Sequence, residues 1–125
     1  MKLDFLPSGS PDCPLIRIYE FTPKEAYELR RVGLQLARGK ETTVRLHEQP
    51  NVTAIGECEL TLQKGQKDRG VSEVSSLKFE WILSASGWFQ VAGLIRPFSR
   101  GVTNGFQWLT QPGKVQILLS CNGTC

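Results

Sequence analysis

One histidine, one methionine and four cysteines leave this 125-residue chain short of the side chains that most often carry metal or acid–base chemistry. A zinc site wants paired Cys or His at short spacings such as C-x-x-C. Only Cys121 and Cys125 come near, so no metal site is assigned. No nucleotide motif is present and no cofactor is expected, because the polar run 63–70 lacks the G-K-[ST] ending of a phosphate loop. No apolar run approaches the roughly 20 residues of a spanning helix. Asp4 followed by Pro7-Ser8-Gly9 interrupts any signal-peptide core, so the expectations are no membrane contact and a cytoplasmic location. The 15 Lys and Arg exceed the 12 Asp and Glu by only three, and the cations are interleaved with acids. That is not the concentrated electrostatic footprint of a nucleic-acid binder.

What is present fits an ordinary globular domain: 40% apolar and 22% charged residues, in a chain long enough for one core and too short for two. A single domain over 1–125 is expected, with a Pro, Gly and Ser-rich loop at 7–14. Residues 2–6 read as a short edge strand and 15–21 as a central one, apolar on both faces. Thr22, Pro23 and Glu25 then form a helix start: cap, first helical position and capping box. Ala26, Leu29, Val32, Gly33 and Leu36 recur at helical spacing, and Gly39 suits the stop. Strands at 42–46 and 52–63 follow, read as a hairpin through Gln49-Pro50-Asn51. Residues 71–83 read as one further strand. A second helix runs from about Ser84 to Pro97 and is apolar nearly all round, with Gly93 either weakening it or admitting a close neighbour. Strands at 106–109 and 115–121 close the chain.

The second half echoes the first. Leu15, Arg38-Gly39 and Gln49-Pro50 recur 62 residues later as Leu77, Arg100-Gly101 and Gln111-Pro112. A one-residue insertion in the last hairpin brings the apolar faces into agreement and matches Val52 with Val115 and Cys58 with Cys121. The predicted fold is therefore α+β: two helices on a mostly antiparallel sheet of six to seven strands, with tandem βαββ repeats at 15–63 and 77–125. Without an export signal the cysteines are expected to be thiols. Cys58 and Cys121 read as small core residues.

In topology and size alone this order resembles the vicinal oxygen chelate proteins. Their paired βαβββ units form a cupped metal or ligand site, but the single histidine leaves no matching His/Glu ligand set. Function is carried by sites rather than folds, so three functions are weighed on residues. The first is a non-enzymatic interaction protein that self-associates or docks a protein partner through Trp88, Phe89 and Phe98, motivated by the surplus apolar surface of the second helix. The second is a small-molecule binder or enzyme with a site in a sheet concavity. It would use Glu57, Glu59, His47 or the cationic cluster Lys64, Lys67 and Arg69, the best candidate anion contact in the chain. The third, nucleic-acid binding through Arg17, Arg45, Lys64, Lys67 and Arg69, is the least favoured by composition. No catalytic residue is assigned.

Overall fold

The computed structural model describes residues 1–8, 13–102, 104–111 and 113–121. Nine strands and two helices follow one another in the order β1 (Lys2–Leu6), β2 (Leu15–Tyr19), α1 (Pro23–Ala37), β3 (Thr43–Arg45), β4 (Thr53–Ala54), β5 (Glu59–Lys64), β6 (Gly70–Ser75), β7 (Lys78–Leu83), α2 (Ala85–Ser99), β8 (Phe106–Trp108) and β9 (Gln116–Ser120). A 3-10 turn at Leu46–Glu48 separates β3 from β4. Helix α1 begins where its capping box predicts: the Thr22 hydroxyl accepts from the Glu25 N–H at 3.2 Å, and the Glu25 carboxylate accepts from the Thr22 N–H at 2.9 Å. Ser84 caps α2 in the same way, accepting from the Gly87 N–H at 3.3 Å. No helix among the described residues is long and apolar enough to cross a membrane.

The strands form two mixed sheets instead of the single, mostly antiparallel sheet of six to seven strands that the sequence predicts. One runs β4-β1-β2-β9-β8 and the other β3-β5-β7-β6. Three of the pairings, β1 with β4, β2 with β9 and β5 with β7, are parallel. Two turns account for much of the difference, the first of them without the usual Gly or Asn. Leu77, at φ 62°, reverses the chain between β6 and β7, splitting the expected strand 71–83 into a hairpin. Gly56 and Glu57, at φ 67° and 63°, break the expected strand 52–63. Nor is β1 an edge strand, because β4 lies along its outer side.

The two sheets are built by exchange. The hairpin β1-β2 of the first half pairs with β9 and β8 of the second, while the hairpin β6-β7 of the second half pairs with β5 and β3 of the first. The registers correspond: Leu15 faces Gln116 across β2 and β9 as Lys78 faces Glu59 across β7 and β5. Tyr19 faces Lys2 as Ile82 faces Gly70. Each half thus begins a strand earlier than 15 and 77. The same correspondence matches Cys58 with Val115, one residue before β5 and β9 respectively, and not with Cys121. The chain from β3 to β5 spans 46–58, whereas that from β8 to β9 spans only 109–115, six residues fewer. The longer connection carries the 3-10 turn and β4.

A single core joins both sheets and both helices, with Ile16, Ile18, Leu60, Leu62, Phe79 and Trp81 supplied by the strands. The helices pack mainly on each other. Gly33 makes their crossing close, since a Cβ there would stand 3.6 Å from the Ala92 methyl. Gly93, by contrast, is exposed with no atom near it, so it admits no close neighbour.

Candidate functional site

The residues predicted to form an interface separate on the two sides of α2. Trp88 and Phe98 are buried, at 0% and 5% exposure, and only Phe89 remains open at 48%. The apolar surplus of α2 is therefore used inside the domain. Trp88 packs on Trp81 with ring centroids 4.8 Å apart and donates its indole N–H to the Gln63 carbonyl at 2.9 Å. Phe98 meets Phe21 edge-on at 5.8 Å. As a docking surface, the set Trp88, Phe89 and Phe98 is corrected to one exposed residue.

The cationic set is likewise dispersed. Arg17 is held by Asp4, its Nε donating to Oδ1 at 2.9 Å and its Nη2 to Oδ2 at 2.5 Å. Arg45 pairs with Glu48 at 2.9 Å. Of Lys64, Lys67 and Arg69, Arg69 lines a cleft between β6 and α2.

That cleft, of about 500 Å³, opens between β6, the first turns of α2 and the 110–115 connection. Val71, Trp81, Leu83, Val91, Leu94 and Val115 form its apolar walls, and Arg69, Gln90, Gln111 and Lys114 stand among them. Neither Arg69 nor Lys114 is in an ion pair with the described residues. Trp81 is 1% exposed, and its indole N–H has no hydrogen-bond partner among the described residues. Such a donor ordinarily finds one. Asp68 at the edge of the cleft is already engaged, accepting from the Ser84 N–H and hydroxyl at 2.8 Å each. The Ser84 backbone N–H and then its hydroxyl hold the Asp68 carboxyl below its usual pKa. This contact ties the start of β6 to the cap of α2.

Part of these walls recurs in the first half. Met1, Glu28, Leu29 and Val32 occupy the positions of Arg69, Gln90, Val91 and Leu94. Yet only about 140 Å³ remains there. The longer connection fills the space: Pro50, Asn51 and Val52 enter it, with Val52 packed against the core. The chain then lies along β1 as β4, donating the Thr53 N–H to the Met1 carbonyl at 2.9 Å and the Ile55 N–H to the Leu3 carbonyl at 2.8 Å. Leu3 is fully buried as a result, whereas Val71 at the same register position is only partly covered. No described strand lies along the outer side of β6.

A second, more open depression of about 670 Å³ is lined by His47, Glu57 and Glu59, the residues that the small-molecule reading groups as polar contacts. The His47 Nδ1 accepts from the Leu60 N–H at 3.1 Å, and its Nε2 lies 3.4 Å from Glu59 and 3.8 Å from Glu48. The Leu60 carbonyl also lies 3.3 Å from Nδ1, while the two carboxylates facing Nε2 favour a proton there. Glu57 stands on the left-handed turn instead of beside Glu59 on a strand. Among the described residues no group of three or more His, Cys, Asp or Glu is arranged to hold a metal ion. Cys58 borders this depression but is fully buried, and burial pushes its thiol up to about 12. A thiol so disposed is a poor nucleophile.

No protein-family model, curated protein or solved structure matches the chain. The case for a function rests on the geometry alone.

Proposed function

We propose that this protein is a non-enzymatic binding module that docks its partner in the cleft between β6, α2 and the 110–115 connection. One observation carries the reading: the helix face formed by Gln90, Val91 and Leu94 borders a cleft of about 500 Å³, whereas its counterpart, Glu28, Leu29 and Val32, borders only about 140 Å³, with Pro50, Asn51 and Val52 of the chain itself lining what remains. Apolar walls with a few polar groups at fixed places are the ordinary make-up of a recognition site, area giving affinity and polar groups giving orientation. Arg69 and Lys114 favour a partner that brings a carboxylate or another anion. The proposed surface thus lies on the β6 side of α2 and does not use Trp88 or Phe98. The matched registers also support reading the halves as a tandem duplication whose β3–β5 and β8–β9 connections diverged by six residues.

Titrating the isotopically labelled chain with hexanoate, indole-3-acetate and short acidic peptides tests this by NMR. The Trp81 indole N–H and the amides of β6 are expected to shift, and Leu94→Trp, which fills the cleft, to abolish the shifts. Perturbation confined to other surfaces would overturn the reading.

A second reading has one observation in its favour, the convergence of His47, Glu57 and Glu59 on one depression. There a small polar molecule would meet an Nε2–H donor beside two carboxylates. Its signature is a ligand-dependent shift of the His47 ring resonances that His47→Gln removes.

A further inference from the structure

We infer that the cleft and the outer side of β6 together form a strand-addition site. It receives an extended segment of a partner protein, running parallel to β6, with an apolar side chain in the cleft and acidic residues beside it. The inference rests on the cleft being the binding site and names what occupies it.

The molecule contains its own example of the complex. β4 lies parallel to β1 with Thr53 opposite Lys2 and Ala54 opposite Leu3, and the residue just before it, Val52, packs against the core beside Leu29 and Val32. β6 holds the place of β1 in the other sheet, and Val91 and Leu94 hold the places of Leu29 and Val32. What the second half lacks is the occupant, because its connection is six residues shorter. An edge strand offers a row of unpaired backbone groups, a template that other chains can extend. The usual protections are few here, since Gly70-Val-Ser-Glu-Val-Ser75 has no Lys or Pro and carries one charged side chain, Glu73, and an irregularity between Glu73 and Ser75, both beyond the Arg69–Val71 end that corresponds to the β4-paired part of β1. Val74 is 57% exposed on this strand, the most exposed of the large apolar residues. The polarity follows from the internal example: β4 is parallel to its neighbour, so the incoming segment is parallel to β6. The charge preference follows from Arg69 and Lys114. Both are exposed and neither has a counter-ion among the described residues, so an acidic side chain docking beside them gains a partner.

The probe is an eight-residue peptide with the sequence of residues 50–57, carrying Asp in place of the leading Pro. Its blocked form is titrated into the full-length labelled chain. Four results are expected together. Amides of β6 and the Trp81 indole N–H shift and gain protection from hydrogen exchange. N-methylation of alternate peptide amides weakens binding by roughly tenfold or more, because ladder hydrogen bonds are lost. The reversed sequence fails to bind comparably, and Arg69→Glu with Lys114→Glu weakens binding while leaving the thermal midpoint of the free protein near that of the wild type. Several outcomes overturn the inference: no peptide shifts, shifts at β1 alone, equal binding of the reversed or N-methylated peptide, or a free protein that sediments as a dimer with β6 already protected. If hexanoate still perturbs Trp81 in the first or third of these cases, the cleft stands as a binding site and strand addition alone fails.

Discussion

Cys58 couples the core to pH. Its side chain is fully buried and its thiol is pushed up to about 12 by burial, with the Asp4 and Glu59 carboxylates adding to the rise. Unfolding releases a thiol of ordinary pKa, so above about pH 9 the unfolded chain loses a proton that the folded chain retains. Stability from this group is complete below that value and is lost as pH rises toward 12. Between pH 8 and pH 10 the wild type is expected to lose about 1–2 kcal/mol more than Cys58→Ala in urea unfolding. Parallel pH curves for the two would show that the thiol plays no such part. Asp4 is the other buried polar residue with a decided role, at 7% exposure. It accepts from Arg17 through both carboxylate oxygens and from the Tyr19 hydroxyl at 3.3 Å, while the guanidinium carbon lies 4.4 Å from the centre of the Tyr19 ring. Hydrogen bonding to Asp4 raises the already high Arg17 pKa against the opposing effect of burial. Asp4→Leu alone removes the carboxylate that accepts from the Arg17 guanidinium and is expected to cost about 2–4 kcal/mol, whereas Asp4→Leu with Arg17→Met should recover much of that loss. A double-mutant cycle in denaturant measures both.

At the scale of elements, two of the three helical glycines, Gly33 and Gly93, sit in opposite surroundings. Gly93 is exposed in mid-helix, and a methyl group added there would have nothing within 4 Å. Gly93→Ala is therefore expected to raise stability by about 0.5–1 kcal/mol through helix propensity and the unfolded-state entropy. Gly33→Ala has the same propensity gain but brings a methyl to ordinary contact distance from Ala92, so its thermal midpoint should rise less than that of Gly93→Ala. An equal or larger rise for Gly33 would mean that the helix crossing is looser than a 3.6 Å approach implies. Both helices are legible in the sequence because their caps are local: Thr22 with Glu25, and Ser84 before an apolar run. The strands are less so. Leu77 and Glu57 adopt left-handed backbone where Gly or Asn would ordinarily mark a turn, and without that mark a hairpin reads as one long strand. Of the cleft, Arg69 stands out in the sequence as an anion contact, while Trp81, Val91 and Leu94 are visible only as apolar positions. The cleft itself has no motif. It arises from a difference in length between two connections, and that difference becomes readable only once the strand registers show which residues correspond.

At the scale of the molecule, exchange of strands makes the halves interdependent. β2 is central because β9 lies beside it, and Ile117, Leu118 and Leu119 of that strand are each at most 1% exposed. Removing the second half therefore strips one long side of β2, and removing the first strips β5 from β7. Neither half retains enough covered apolar surface to offset the entropy of ordering its chain. Cutting between Gln66 and Lys67, both exposed in the β5–β6 connection, separates the two halves without dividing an element. Residues 1–66 and 67–125 are each expected to lack a cooperative transition as monomers. Mixed in equal amounts they should form a 1:1 complex with the near-ultraviolet signal of the packed Trp81–Trp88 pair, read by circular dichroism and sedimentation. Self-association of 1–66 into a dimer would agree with the matched registers, since a second copy offers β5 and β3 where β9 and β8 belong. Cooperative unfolding of monomeric 1–66 would contradict the exchange, because a half that folds alone needs no strand from the other.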